Sequence, residues 1–192
     1  MTSYQAVLIG CSAGGVSALC KILQGIPKKF SLPIIIVSHQ FPHSGSLLSS
    51  VLANSSQLEV KDAEEKVLPT APFIYTAPPN YHLLIDDDGS FALNVDPKVC
   101  FSRPALDVTF ETAAEFYKEN LISIVLTGAN SDGTQGAKIV KSFGGVVIVQ
   151  SPETAEAKSM PESVISTGCA DYIVPLEDIS DKLLELINWK SQ

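Results

Sequence analysis

Ser12, His39 and Asp132 each follow a short apolar stretch of the sequence. Those stretches are residues 6–10, 33–37 and 121–126. A serine hydroxyl, an imidazole and a carboxylate are the groups of a hydrolytic triad, in which the serine attacks an acyl carbon. If the three stretches are parallel strands of one sheet, the side chains that follow them emerge at the same edge, where open α/β sheets bind ligands. The sequence therefore predicts a serine-dependent acyl hydrolase.

The turn after the first stretch reads Gly-Cys-Ser-Ala-Gly from Gly10 to Gly14, which fits the nucleophile pattern G-x-S-x-G. Small neighbours allow the oxygen of Ser12 to point outward, and the backbone N–H groups that begin the next helix can stabilise an oxyanion. Such a turn can also be a plain connection or a phosphate-binding loop, so a nucleotide-binding domain stays open as an alternative. Ser12 stands in place of the second glycine of the dinucleotide motif, which argues against that motif.

The histidine and the aspartate each have a second interpretation. A loop histidine is often only hydrogen-bonded to a carbonyl, but the edge that His39 shares with Ser12 favours a functional role. Asp132 precedes Gly-Thr-Gln-Gly and is also a candidate helix N-cap, a role compatible with accepting a histidine N–H. His43 and His82 are predicted to be structural or to lie at the edge of the substrate site.

Composition and charge narrow the class of protein. The 192 residues fit one domain, residues 1–192, and a hydrophobic content of 45% is enough for a full core. The formal net charge of -8 argues against a nucleic-acid partner. No apolar run reaches the roughly 18 residues that span a bilayer, and the first residues have no basic segment of a signal peptide. We therefore expect a cytoplasmic protein without direct membrane insertion.

The cysteines and histidines do not have the spacing of metal ligands. Neither a C-x-x-C pair nor the H-E-x-x-H pattern occurs in the sequence. We expect reduced, buried cysteines, no metal and no cofactor. A thiol at a helix start can be reactive, but a packing role beneath the turn is favoured for Cys11 because Ser12 occupies the exposed position.

Alternating strand-like and helix-like segments predict a three-layer, doubly wound α/β fold. The sheet is predicted to be mostly parallel with helices on both faces, and the β-branched run at 121–126 is typical of a central strand. The Asp-Asp-Asp-Gly turn at 86–89 predicts one antiparallel hairpin as an excursion of that sheet. The predicted strands are residues 5–9, 33–38, 58–60, 73–75, 81–85, 90–94, 121–126, 146–149 and 170–174. The predicted helices are residues 16–24, 46–53, 107–119, 137–143, 160–166 and 178–189.

Several separate motifs, in the same order, make the chain resemble the catalytic domain of the CheB-type chemotaxis protein-glutamate methylesterase family. They include a segment similar to the family's R-P-S-x-D stretch and a loop similar to its L-T-G-M-G-x-D-G stretch. The segments that carry the resemblance are residues 9–15, 38–40, 77–84, 102–107, 126–133 and 150–161. Together they cover nearly the full length.

The resemblance implies that Ser12 is the nucleophile, His39 the general base and acid, and Asp132 the orienting carboxylate. It also implies hydrolysis of glutamyl methyl esters on the cytoplasmic helices of methyl-accepting chemotaxis receptors and, in some members, deamidation of receptor glutamines. The order Ser-His-Asp along the chain differs from that of α/β-hydrolases. The family's N-terminal receiver domain is expected to be absent.

Four positions depart from the family motifs. Cys11 and Ala13 stand where the family usually has alanine and a hydroxyl residue, while Ala129 and Asn130 stand where it usually has methionine and glycine. The backbone N–H groups near Ala13 and Ala129 are the candidate oxyanion donors, and Asn130 is a candidate substrate-binding residue. The departures leave open a non-catalytic module that docks receptors or signalling partners.

Arg103 is the only arginine of the chain. A guanidinium can bind a carboxylate through two parallel hydrogen bonds, and the receptor surface around a modified glutamate is expected to be acidic. Arg103 is therefore a candidate substrate-binding residue. An ordinary surface or fold-stabilising ion pair is the equally open alternative.

Overall fold

The computed structural model describes residues 4–40 and 47–189. These residues form a seven-stranded sheet, a separate two-stranded sheet and six α-helices. The strands are β1 (Ala6–Cys11), β2 (Ile34–Ser38), β3 (Glu59–Asp62), β4 (Phe73–Thr76), β5 (His82–Ile85), β6 (Phe91–Asn94), β7 (Leu121–Val125), β8 (Val146–Gln150) and β9 (Tyr172–Val174). The helices are α1 (Gly15–Gln24), α2 (Leu47–Ala53), α3 (Leu106–Tyr117), α4 (Thr134–Ser142), α5 (Ser159–Ser166) and α6 (Ile179–Leu186).

The large sheet has the order β3-β4-β2-β1-β7-β8-β9, and all its neighbouring strands are parallel. The chain runs outward from the central strand β1, first to β2 on one side and later to β7 on the other. Such a reversal of direction opens a crevice at the carboxyl ends of the strands. The predicted fold class is confirmed.

Both faces of the sheet are buried, which makes the fold three-layered. Successive strand residues point to opposite faces, so Ala6 and Leu8 of β1 contact one core while Val7 and Ile9 contact the other. The first core holds α3, α4, α5 and the β5–β6 pair, and the second holds α1, α2 and α6. The strands that carry the candidate site are therefore fixed from both sides.

The hairpin differs in one respect from the prediction. Strands β5 and β6 pair with each other as a sheet of their own instead of extending the large sheet. Leu83 and Phe91 are completely buried in the core beneath α3, so packing against the helix stabilises the pair. At the turn, the Gly89 N–H donates to the Asp86 carbonyl at 2.8 Å.

Most element ends differ from the predicted ends by one to three residues. Helix α4 begins at Thr134 because Gly133, with φ of +89°, forms its N-cap. The last helix ends at Leu186, three residues before the predicted Trp189. The predicted start of the second helix at Ser46 lies outside the described residues. None of the helices in the described ranges combines the length and hydrophobicity that a bilayer crossing requires.

Candidate active site

Three adjacent strands bring the predicted site residues together. Ser12 and His39 are the first residues after β1 and β2, which pair in parallel. The His39 N–H donates to the Cys11 carbonyl at 3.2 Å, and the Ser12 N–H donates to the Thr127 carbonyl at 2.9 Å. Ser12 is therefore held between the end of β2 and the loop that follows β7. That loop carries Asp132.

The imidazole of His39 is hydrogen-bonded to the carboxylate of Asp132. The distance between Nε2 and Oδ2 is 2.7 Å, and the two residues are 93 positions apart in the chain. The His39 side chain is 14% exposed, whereas the Asp132 side chain has no exposed surface. The contact is therefore made at the inner wall of the crevice, with one edge of the ring open to it.

Both carboxylate oxygens of Asp132 are fully engaged. Oδ2 accepts the Leu106 N–H at 2.7 Å in addition to His39, and Oδ1 accepts the N–H groups of Asp107 and Gly133, each at 3.0 Å. Leu106 and Asp107 begin α3, so the carboxylate satisfies N–H groups that a helix start leaves unpaired. Hydrogen bonds from helix-terminal N–H groups stabilise a buried negative charge. This anchoring determines where the His39 ring can lie.

The hydrogen bond to Asp132 determines which nitrogen of His39 has a free electron pair. An ionised carboxylate only accepts hydrogen bonds, so Nε2 carries the proton and Nδ1 has the free electron pair. Ser12 and His39 line the same cleft. No hydrogen bond joins Ser12 Oγ to the ring in the described part of the chain, and such bonds often tighten only when substrate is bound.

The cleft has a volume of about 530 Å³, which is large enough for a side chain and part of its backbone. Its lining comes from the three strand ends and from the segment before Arg103. The lining residues are Ser12, Ala13, His39, Gln40, Lys98, Cys100, Phe101, Ser102 and Asn130. A smaller apolar groove between α1 and α2 shares His39 and Gln40 with it.

Backbone N–H groups near Ser12 are available for an oxyanion. Those of Ala13 and Ala129 have no acceptor among residues 4–40 and 47–189. The Thr127 hydroxyl donates to the Ala13 carbonyl at 2.8 Å, and the Gly128 N–H and carbonyl bind Ala157 and Met160 at 3.0 and 2.9 Å. Both turns are thus held by hydrogen bonds that leave these two N–H groups unused. Sequence reasoning missed the role of Thr127, whose hydroxyl carried no distinguishing signal.

Cys11 lies beneath the turn and not in the cleft. Its side chain is completely buried, and a Cβ on Gly15 would lie 2.5 Å from its sulfur. Burial raises the pKa of the Cys11 thiol to about 11, although a hydrogen bond with Ser38 acts in the opposite direction. The thiol is therefore protonated at neutral pH, which agrees with the predicted packing role.

Arg103 does not line the cleft. Its guanidinium donates to the carbonyls of Val95 and Asp96 at 2.5 and 2.9 Å and to Oδ1 of Asn80 at 2.8 Å. Its partners among the described residues are neutral, so the guanidinium is not held by an ion pair there. Receptor binding by Arg103 stays a prediction. Its place in the structure is to hold the segment that follows β6.

Asn130 lines the cleft, but its amide is also used within the protein. Oδ1 accepts the Asp132 N–H at 3.2 Å, and Nδ2 donates to the Cys100 carbonyl at 3.4 Å. Asn130 therefore connects the loop of Asp132 to the opposite wall. His82 is a buried residue of β5 whose Nε2 contacts the Pro97 carbonyl at 3.1 Å, which is a structural role. His43 lies outside the described residues.

Three potential metal ligands meet beside the histidine–aspartate pair. Ligand atoms of Cys100, Asp107 and Asp132 lie within 4.8 Å of one another. Asp107 accepts the Gly136 N–H at 2.8 Å, and both oxygens of Asp132 accept N–H donors, so a cation would have to displace these bonds. Burial first, and then the negative charge of Asp132, raise the pKa of Asp107 and also that of the Cys100 thiol. In this structure the two carboxylates act as hydrogen-bond acceptors.

Comparison with known proteins assigns the family. Residues 7–183 match the family model described as CheB methylesterase. The chain belongs to the CheB methylesterase family. The crystal structure of the Thermotoga maritima CheB methylesterase catalytic domain superposes with a TM-score of 0.92 at 41% identity, covering 96% of this chain and 99% of that one.

Two curated relatives of this CheB-family chain differ in length. One from Leptospira interrogans serogroup Icterohaemorrhagiae is 45% identical over 184 residues, 96% of this chain and 95% of its own length, and its name assigns methylesterase and glutaminase activity provisionally. The protein-glutamate methylesterase/protein-glutamine glutaminase of Thermotoga maritima is 42% identical over 188 residues, again 96% of this chain. This chain spans 55% of the length of that second relative.

Proposed function

We propose that this chain is a serine hydrolase that removes methyl esters from glutamate residues of chemotaxis receptors and also deamidates receptor glutamines. The observation that carries the proposal is the hydrogen bond of His39 to Asp132, 2.7 Å long, beside Ser12 in one cleft. Membership of the CheB methylesterase family supports it, as do relatives named for both reactions.

In the first half of the reaction, Ser12 Oγ attacks the ester carbonyl while Nδ1 of His39 takes its proton. Asp132 keeps the other ring nitrogen protonated and stabilises the imidazolium that forms. The C–O bond to the methoxy group then breaks, and the imidazolium returns its proton to the leaving oxygen. Methanol departs and the glutamyl group stays on Ser12. A glutamine amide follows the same route with ammonia as the leaving group.

In the second half, water replaces methanol. Nδ1 of His39 removes a proton from the water, whose oxygen attacks the acyl carbon, and the imidazolium then protonates Ser12 Oγ. The products are a glutamate carboxylate, a proton and free enzyme. The unpaired N–H groups of Ala13 and Ala129 stabilise the oxyanion in both halves, a contribution that typically amounts to about 3–4 kcal/mol per donor. The side-chain changes at these positions leave the N–H groups in place.

The substrate segments are the cytoplasmic helices of methyl-accepting receptors, so the enzyme is proposed to act in the cytoplasm. Residues 1–192 are proposed to work as one catalytic domain.

The test is methanol release from a methylated chemoreceptor by the Ser12→Ala variant. We expect the kcat to fall by roughly four to six orders of magnitude, as is typical when a triad member is lost. Ser17→Ala is the matched control, because Ser17 is an exposed serine of α1 that does not line the cleft. Methanol release by Ser12→Ala at the wild-type rate would remove Ser12 from the mechanism.

A fluorophosphonate probe separates the enzyme from a non-catalytic docking module with the same fold. The probe phosphonylates only an activated serine, so labelling of the wild type at Ser12, abolished by His39→Ala, is expected of the enzyme. A docking module would bind receptor without being labelled. Binding of receptor by an unlabelled wild type would favour that alternative.

A further inference from the structure

One wall of the cleft carries a large apolar side chain that is almost fully exposed. Phe101 lines the cleft beside Lys98, Cys100 and Ser102, yet its side chain is 97% exposed. Exposed aromatic groups beside a ligand site commonly mark a contact surface. The proposed chemistry at Ser12 makes no use of this ring.

Phe101 also lies at a position where local conformation disfavours it. Val99 and Ser102 pair through two backbone hydrogen bonds of 3.1 and 2.9 Å, and the two residues between them have positive φ, +47° at Cys100 and +65° at Phe101. A two-residue turn with this pattern prefers Asn-Gly, and a bulky residue with positive φ is uncommon. Neither turn preference nor packing against the described residues accounts for a phenylalanine at position 101.

The segment that carries Phe101 is held in place from several sides. Arg103 binds the carbonyls of Val95 and Asp96, and the buried His82 binds the carbonyl of Pro97 at 3.1 Å. The Asn130 side chain reaches the Cys100 carbonyl at 3.4 Å. The ring of Phe101 is thus presented at the cleft from a fixed support.

This wall of the cleft is positively charged, whereas the whole chain is negatively charged. The chain has a formal net charge of -8, but the cleft lining within the described residues contains Lys98 and no carboxylate. Lys98 is exposed and belongs to none of the ion pairs formed in the described part of the chain. The wall therefore presents an aromatic ring and a cation, which together complement a polypeptide with apolar and acidic side chains.

We propose that Phe101 determines specificity for protein substrates by packing against an apolar side chain of the receptor segment next to the esterified glutamate, while Lys98 faces the carboxylates of that segment. The proposal rests on the proposed methylesterase function. A small glutamyl ester has no residue that reaches this wall, so the contact distinguishes a receptor from a free ester.

The experiment compares kcat/KM for a methylated receptor with kcat/KM for a small glutamyl methyl ester. Phe101→Asn removes the ring, and asparagine tolerates positive φ, so the turn is retained. We expect the ratio of the two kcat/KM values to fall at least tenfold, mainly through a higher KM for receptor. Phe101→Tyr keeps the ring and is expected to keep the ratio within about twofold of wild type.

Phe143→Ala is the matched control. Phe143 is 39% exposed and follows the carboxyl end of α4, about 13 Å along the helix from the end near Asp132. Its removal is expected to leave the ratio unchanged. An unchanged ratio in Phe101→Asn, with an active wild type, would overturn the inference and leave the proposed function intact. Failure of the wild type to release methanol from receptor would overturn both.

Discussion

At the scale of single residues, Asp132 rather than Ser12 has the most hydrogen-bonded and most buried side chain of the candidate site. Each of its oxygens accepts two N–H donors: His39 and Leu106 on one, Asp107 and Gly133 on the other. An acidic residue whose oxygens are paired in this way orients the imidazole and also joins the start of α3 to the loop after β7. The position of the His39 ring and local stability therefore depend on the same carboxylate.

We expect Asp132→Asn to reduce activity and stability together. Whichever oxygen becomes NH₂, two N–H donors then face another donor, and a buried donor without an acceptor costs about 1–3 kcal/mol. The kcat for methanol release should fall by about 10⁴, because His39 loses the partner that selects its tautomer. Urea unfolding should show a loss of roughly 2–6 kcal/mol.

His39→Ala is the control for that variant. It should abolish activity to a similar extent but reduce stability less, because the three backbone donors of Asp132 keep their acceptors. Equal losses of stability in the two variants would contradict this account of the carboxylate.

At the scale of elements, the turn from β1 to α1 depends on close packing as well as on backbone freedom. Gly14 forms the N-cap of α1 with φ of +76°. A Cβ at this position would lie 2.7 Å from Cβ of Glu156, in the segment that leads to α5. The position of Ser12 is therefore set partly by a neighbour more than a hundred residues away in the chain.

We expect Gly14→Ala to destabilise the fold more than Gly168→Ala. Gly168 has nearly the same φ, +73°, but a Cβ there would have no atom within 4 Å. Both substitutions incur the penalty of a left-handed alanine, about 1–2 kcal/mol, and Gly14→Ala adds an overpacking term of about 1–3 kcal/mol.

Urea unfolding measures the loss of stability in Gly14→Ala, and methanol release measures its loss of activity. The activity of Gly14→Ala should fall because the turn that carries Ser12 must shift, whereas Gly168→Ala should remain active. Equal destabilisation by the two substitutions would show that the close approach to Glu156 does not affect the free energy of unfolding.

At the scale of the whole molecule, the core on the α3 side of the sheet includes the ionisable phenol of Tyr117. Tyr117 of α3 is 6% exposed, and burial raises the pKa of its phenol to about 12. An ordinary tyrosine ionises near pH 10. The unfolded chain therefore loses this proton at a lower pH than the folded protein does, which links global stability to alkaline pH.

We expect the wild type to lose stability relative to Tyr117→Phe as the pH rises from 10 towards 12. The folded state binds the proton more tightly over this range, so the free energy of unfolding falls with pH, by at most about 1.4 kcal/mol per pH unit. Below pH 10 the difference between the two proteins should not depend on pH. Urea unfolding at pH 9, 10 and 11 measures it, and parallel pH profiles would contradict the prediction.

The sequence by itself determined the class of fold and most of the elements of this protein. The apolar runs at residues 6–10, 33–37 and 121–126 are strands because apolar stretches of that length are buried on both faces of a parallel sheet. The glycine-rich turn before α1 and the loop with Asp132 were also predicted, because the spacing of their glycines can be read directly from the sequence. Ser12, His39 and Asp132 were placed at one edge by the same reasoning.

Only the tertiary structure decided how these residues are supported. The acceptor role of Asp132 towards Leu106 and Asp107, the use of Arg103 to hold the segment after β6, and the pairing of β5 with β6 alone all depend on contacts between distant segments. A sequence motif shows which chemical groups are present. The hydrogen bond from Leu106 to Asp132, 26 positions apart, and the exposure of the Phe101 ring at the cleft depend instead on how distant segments pack. Tertiary packing depends on the whole chain, so a local sequence pattern cannot predict it.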